Sequence, residues 1–526
     1  MKQHSFASRL KSLALVFSIG LAFASCANED IAQNQNSKDN DANLTTFSTG
    51  DPTTRTSMES DGKFFWEAGD KIYVKDDNNT WHASSNSPTG KTANFKFKVP
   101  GTYTDHTSYE VYYPGKNGNQ DQVTIPATQS QSEPNTTAHF GVSGDCGMAD
   151  ASKQSNGSFA FTLDHKAAYL LLLPRTSNTV LRDCYLTKVE VNSDNDITDT
   201  YTLDPATGEL TGTGTGKQII VSTGGSGAYA NGFPLTNNST SAATNGSYVV
   251  IKPGTHTLKI RYWVKDIATN VEGTITKILS SATYDQNKYY NITANFDVRN
   301  YDGDHYYMWD AQEQYWKGHE WWSANKDQPV LNWDKNGNYA KSNTDSRYYH
   351  EGGGSGRFDA TRTSCKDLPN VNEMSWYVVY GDPRWDADEL WTTMGHLYKG
   401  GMWFKKKSVL QAEHHYDTEK SADGTTDLRT TYNGYTNNSS SITNSGLPSA
   451  ADAGNYFYLP TLGFYTGPGQ LIRVGEFGDY WSSSAIPGSS NNAYTLHFYS
   501  GGVFYSAGVY VGNIGRSNGC RVGGFE

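Results

Sequence analysis

Several short clusters in the sequence hold side chains able to bind a metal or move a proton. Glu413-His414-His415 sets a carboxylate beside two imidazoles, but adjacent residues of a strand face opposite ways, so the pair reads as solvated. Asp194-Asn195-Asp196 and Asp334-Lys335-Asn336-Gly337-Asn338 carry oxygen ligands at alternate positions. Both lack the distal bidentate Glu of a calcium loop and read as turns. Asp386-Ala387-Asp388-Glu389 and Asn370-Val371-Asn372-Glu373 could supply paired carboxylates, yet each has the form of a helix capping box. The first predicts a helix with Leu390, Met394 and Leu397 on one face, stopped by Gly400-Gly401; the second predicts a helix through Met374 to Val378. No H-E-x-x-H, G-x-S-x-G, Walker-type loop or G-x-G-x-x-G at a strand–helix junction is present. Of the five cysteines, Cys146, Cys184, Cys365 and Cys520 follow the N-terminal region, and none has metal spacing. A Cys365–Cys520 bridge and buried free thiols are both compatible with that pattern. The expectation is no catalytic residue, no metal, no cofactor and no enzyme.

The chemistry of contact is better represented. From Tyr499 to Ile514 the chain reads Tyr-Ser-Gly-Gly-Val-Phe-Tyr-Ser-Ala-Gly-Val-Tyr-Val-Gly-Asn-Ile, a mixture of rigid amphipathic rings and small adaptable neighbours like that of antibody binding loops. His497, Tyr499, Phe504, Tyr505, Ser506, Tyr510 and Asn513 are the expected ligand-binding residues. Strand alternation sets His497 and Tyr499 on the face opposite Leu496 and Phe498, which pack the core.

Elements that could position such residues follow from composition. Among 526 residues, 43 Lys+Arg oppose 54 Asp+Glu for a formal net charge of −11, and only 18% are charged, while Gly (52), Tyr (35), Phe (21) and Trp (13) abound. That excludes a helical bundle and wholesale disorder, and an acidic chain without Lys/Arg clusters has no electrostatic reason to bind nucleic acid. A mainly β chain punctuated by glycine remains. Lys2, Arg9 and Lys11 precede the apolar run Leu13 to Phe23, which is too short to span a bilayer as a mature helix. Leu21-Ala22-Phe23-Ala24-Ser25-Cys26 resembles a bacterial lipoprotein box, implying a signal peptide over 1–25 and lipid on Cys26. Ala27-Asn28-Glu29-Asp30 is similar to the surface-export signal of Bacteroidetes lipoproteins. The implied location is the outer membrane and cell surface, with 26–52 as a disordered tether.

From Thr53 to Val298, short β-patterned runs such as Lys71-Ile72-Tyr73-Val74 and Thr257 to Trp263 alternate with turn residues, a sandwich pattern. Ala167 to Pro174 is continuously apolar and reads as a central strand covered on both faces. Two lobes are expected, 53–175 and 176–298. Thr54-Arg55-Thr56-Ser57, Phe65-Trp66-Glu67-Ala68-Gly69-Asp70, Leu163-Asp164-His165-Lys166 and Lys288-Tyr289-Tyr290-Asn291-Ile292 resemble the fimbrillin-like subunits of type V pili. That resemblance implies proteolytic processing at Arg55 and a groove that accepts a strand from a neighbouring pilus subunit.

Beyond Tyr301 the composition shifts toward Trp, Tyr and Gly. The polar stretch 421–454 reads as a surface insertion. A Leu459-Pro460 strand, the Tyr480-Trp481-Ser482-Ser483 turn and the terminal Arg516-x-x-Gly519-x-x-Val522 resemble the Fibrobacter major paralogous domain and the variable proteins of diversity-generating retroelements. The resemblance implies an α+β C-type-lectin-like ligand-binding domain over 301–526, with 499–514 diversified through template adenines. Together the resemblances imply a cell-surface adhesin at a pilus tip, with an unidentified protein or glycan ligand. The alternative is a non-piliated surface glycan-binding lipoprotein held only by its lipid.

Overall fold

Runs of β-branched and aromatic residues broken by Gly, Asn and Asp turns dictate strands, and strands make up 42% of the chain against 8% helix. The fold is mainly β, as the composition predicts. The computed structural model describes residues 43–49, 57–58, 64–298, 300–301, 305–324, 330–331, 337–501 and 507–526.

The first sheet corrects one boundary. The expected tether over 26–52 gives way at Leu44, because Leu44–Thr49 (β1) lies inside a sheet, parallel to Phe159–Phe161 and antiparallel to Lys96–Pro100. Alternation turns Phe47 and Thr49 inward. Phe47 is fully buried, stacked on Phe159 at 5.1 Å and edge-on to Tyr103 at 5.2 Å. It belongs to a core with Trp66, Ile72, Phe97 and Val111. The sheet continues through Gly147–Lys153, Ser108–Tyr113, Tyr73–Lys75 and Trp81–Ala83.

The apolar run expected to be a central strand is one. Ala168–Arg175 pairs on one side with Ser247–Ile251 and on the other with Tyr289–Asn295, and Ala168 to Pro174 are buried.

The largest sheet crosses the boundaries drawn from the sequence at 175/176 and at 298/301. Its path runs Thr128–Gln131, Gln218–Thr223, Cys184–Ser193, Gly254–Asp266, Glu272–Tyr284, Arg384–Thr393, His396–Lys405 and Tyr456–Pro460. Here the helix expected from Asp386 to Leu397 is overturned. Arg384–Thr393 and His396–Lys405 form a hairpin, turned by Met394 (φ 51°) and Gly395 (φ 75°). Two successive left-handed residues close a tight hairpin and cannot continue a helix. The carboxylates that suggested a cap are used elsewhere. The Arg261 guanidinium donates to Asp386 at 2.9 Å and to the Thr274 hydroxyl at 2.7 Å, and Trp403 Nε1 donates to the other Asp386 oxygen at 3.0 Å. Glu389 accepts from Thr276 N–H (2.9 Å), the Thr276 hydroxyl (2.6 Å) and the Thr274 hydroxyl (3.0 Å).

This joint gives stability a pH dependence. Burial first, then the neighbouring Asp386 charge, pushes the Glu389 carboxyl from its ordinary 4.5 up to about 7. An acid whose folded pKa is raised contributes stability in full below its unfolded pKa and loses it as pH rises through the folded one. The thermal midpoint should therefore fall between pH 5 and pH 7.5, by a stability difference of about 1–3 kcal/mol. Lys259, lowered to about 8 by burial and by Arg261, acts in the opposite sense only above that window. Calorimetry on wild type and Glu389→Gln checks this; an equal slope in both would remove Glu389 as the cause.

The second expected helix is present at Val371–Tyr380, with the full reciprocal box: the Asn370 side chain accepts Glu373 N–H and Glu373 accepts Asn370 N–H. The helix packs against a six-stranded sheet ordered Tyr306–Tyr307, Cys520–Arg521, Phe477–Ala485, Asn492–Tyr499, Gly508–Gly515 and Tyr435–Asn437. The stretch expected to be a surface insertion thus contributes the edge strand Tyr435–Asn437, and it buries Leu428 and Ile442. Cys146, Cys184, Cys365 and Cys520 are buried free thiols, the second of the two alternatives left by the sequence.

Candidate functional site

Antiparallel pairing aligns the strands Phe477–Ala485, Asn492–Tyr499 and Gly508–Gly515 so that Asp479, His497 and Tyr510 form one cross-strand row. Phe477, Tyr499 and Gly508 form the next. Because side chains alternate, these two rows share a face. Leu496 and Phe498 are fully buried on the other face, where Phe498 stacks on Tyr480 at 5.8 Å. The expected separation of His497 and Tyr499 from Leu496 and Phe498 is therefore observed.

On this face the rings touch one another. The His497 ring lies 4.4 Å from Tyr510, 5.0 Å from Phe477 and 5.8 Å from Tyr499. His497 itself is 7% exposed, and its Nδ1 lies 2.7 Å from an Asp479 carboxylate oxygen. Tyr499 and Tyr510 are partly exposed. Burial, then the Asp479 charge, pushes the Tyr510 phenol up to about 12, so it stays a neutral donor at physiological pH. The imidazole is thus the buried, oriented floor of an aromatic patch, with the two tyrosines partly exposed around it.

Two members of this group, Asp479 and Phe477, are absent from the set expected from sequence. Their only signal is the cross-strand register, which a linear pattern does not carry. Asn513 is separated from the group. It shares the side of Val509 and Val511, pairs across from Tyr494, and its Nδ2 donates to the Tyr432 hydroxyl at 3.0 Å. Phe504, Tyr505 and Ser506 lie outside the described residues, as do Cys26 and Arg55.

The other clusters have structural partners. Asp194 accepts Thr257 N–H at 2.9 Å, and Asp196 pairs with Lys252 at 2.8 Å, in keeping with a turn. Asp334 to Asn336 lie outside the described residues. His415 stacks on Tyr380 at 4.0 Å and is 3.9 Å from Glu413. Among the described residues no group of three or more His, Cys, Asp or Glu could hold a metal ion, and no helix is long and apolar enough to cross a membrane.

No protein-family model matches the chain, and no curated protein matches it. Solved structures do. One from Bacteroides ovatus, named for cell adhesion, is 13% identical over 48% of this chain and 92% of its own, with a TM-score of 0.30. Another so named, from Bacteroides uniformis, is 15% identical over 48% of this chain and 91% of its own, at 0.28. A fimbrial protein from Bacteroides ovatus is 14% identical over 51% of this chain and 52% of its own, at 0.24.

Proposed function

We propose that the protein is a lipid-anchored cell-surface adhesin that ends a pilus, joined to it through the first sheet and binding its ligand through the C-terminal domain. The observation that carries this reading is β1. It precedes Arg55 in the chain, so a cut after Arg55 frees it from everything downstream except its noncovalent contacts. Its departure would leave an open slot between Lys96–Pro100 and Phe159–Phe161, with the Phe159 and Tyr103 rings uncovered where Phe47 had been. An open slot with unpaired edges on both sides is the geometry that strand addition from another subunit requires.

The segment at Phe525 and Glu526 is held within the C-terminal domain. The Phe525 ring packs among Tyr377, Phe457 and Tyr480, and Lys407 N–H donates to the Glu526 carbonyl at 2.8 Å. Ligand contact is assigned to Tyr499 and Tyr510 over His497, extended by Phe504, Tyr505 and Ser506, with diversification of 499–514 as the source of varied specificity. Asn513 belongs to the opposite side of the sheet.

Arg55→Ala tests the reading. The variant should reach the cell surface yet fail to enter high-mass fibres, with incorporation at least about tenfold below wild type, because β1 stays covalently attached in its slot. Immunoblots of sheared surface material check this. Unchanged incorporation would reject release of β1 as the route into the fibre, and absence of the wild type itself from high-mass material would leave a non-piliated lipoprotein.

A further inference from the structure

We infer that Tyr432, Asn513 and Asn492 form a second contact site, on the side of the sheet away from the His497 row, and that it takes a neutral glycan. Tyr432 is 60% exposed, the largest exposure among the described large hydrophobic side chains, yet it is held in place. Asn513 Nδ2 donates to its hydroxyl at 3.0 Å, and its ring lies within 20° of parallel to the buried Tyr494 ring, with centroids 6.3 Å apart. The loop beneath is fixed as well. Leu428 is fully buried and its N–H donates to Asn372 Oδ1 at 2.8 Å, while the Tyr494 hydroxyl donates to the Leu428 carbonyl at 3.2 Å. An exposed ring normally loses rotamer freedom on binding; this one has already lost it, which favours its use as a contact.

The polar groups around the ring are arranged in sequence. Asn492 Nδ2 lies 3.4 Å from Asn513 Oδ1, and Asn513 in turn donates to Tyr432. A tyrosine hydroxyl that accepts one hydrogen bond still has its own proton to give, and the chain of amides behind it polarises that O–H. The exposed neighbours Thr430, Thr431, Asn433 and Asn491 are all uncharged. The Arg429 cation is committed internally: it is buried against Asp427 at 2.8 Å and Glu419 at 2.5 Å. An anionic ligand would therefore find no free counter-charge in Arg429. A pyranose presents an apolar C–H face suited to a fixed aromatic ring, and a rim of hydroxyls suited to amides and a phenol. That combination selects a neutral sugar.

This inference rests on reading the C-terminal domain as the recognition part, and the experiment separates the two. Binding of a glycan array, followed by saturation-transfer NMR with the methyl glycosides that respond, is compared for wild type, Tyr432→Ala, Asn513→Ala and Tyr510→Ala. Adhesion to host cells is scored in parallel. Tyr432 is exposed, so its variant should keep the wild-type circular dichroism spectrum and unfolding midpoint. Expected is a neutral glycoside whose affinity falls about tenfold or more in Tyr432→Ala and Asn513→Ala and is unchanged in Tyr510→Ala. No glycan bound, binding indifferent to Tyr432→Ala, or a preference for anionic glycans or charged peptides would overturn the site. If adhesion is lost only in Tyr510→Ala while no glycan binds, the adhesin reading stands and this site falls. If adhesion survives both tyrosine variants, the recognition reading falls with it.

Discussion

Arg516→Met should lower the stability of the protein by about 3–5 kcal/mol, the range for removing a buried charged partner whose contacts are all internal. Arg516 is fully buried, and its guanidinium donates to four carbonyls: Asn492 (3.1 Å), His350 (3.2 Å), Gly352 (2.8 Å) and Ser489 (3.0 Å). It is sandwiched over the rings of Trp309 at 4.6 Å and Phe358 at 5.2 Å. Desolvation pushes its pKa down to about 10, which leaves it charged at neutral pH. The contacts gather 350–352, 489–492 and 516 around one planar fork, a task for which methionine has the length but no donor. Three orphaned carbonyls at about 1 kcal/mol or more each account for the magnitude, the Asn492 carbonyl keeping the Ile486 N–H at 3.2 Å. Arg516→Lys keeps the charge but reaches fewer acceptors, so it should fall between wild type and Met. Urea unfolding followed by tryptophan fluorescence measures the change; a loss below about 1 kcal/mol would show the carbonyls rehydrating freely.

The second large effect is expected at the joint of the nine-stranded sheet. Arg261→Met leaves Asp386, 2% exposed, without its cation and close to Glu389, whose carboxyl already feels the Asp386 charge. Breaking a buried pair from one side typically removes about 3–5 kcal/mol. Asp386 keeps the Trp403 Nε1–H and Asp388 N–H donors, which sets the expectation near the lower end. Combining Arg261→Met with Asp386→Asn should recover a substantial part, since the orphaned charge is gone. Additive losses in the double variant would mean that packing, and not charge, is what Arg261 supplies.

Legibility from sequence followed the range of the interactions. The capping box at Asn370 and Glu373 is closed within four residues, so the pattern and the structure coincide. Asp386 and Glu389 have the same spacing, but their partners Arg261, Thr274 and Thr276 lie more than a hundred positions away, and the local pattern misleads. Met394-Gly395 was the local sign of a turn, hidden by reading Met394 as part of an apolar helical face. β1 was illegible for a related reason. Leu-Thr-Thr-Phe-Ser-Thr is polar by composition, and only the packing of Phe47 on Phe159 and Tyr103 makes it a strand. In the candidate site, alternation gave the facing of His497 and Tyr499, while Asp479 and Phe477 joined them through cross-strand register. Asn513 was grouped with Tyr510 by proximity in sequence, and strand parity divides them.

The position of β1 also sets an order of events during folding. Its Ser48 hydroxyl meets a carbonyl 111 positions further along, at Phe159, so the strand synthesised first is completed by a partner made much later. Closing so long a loop is slow relative to local hairpins, and until it closes the edges of Lys96–Pro100 and Phe159–Phe161 are unpaired. Every newly made chain therefore passes through a period in which its own β1 and any strand supplied from outside would compete for the same edges. Such a contest would turn on local concentration, which favours the tethered strand because it is always at hand.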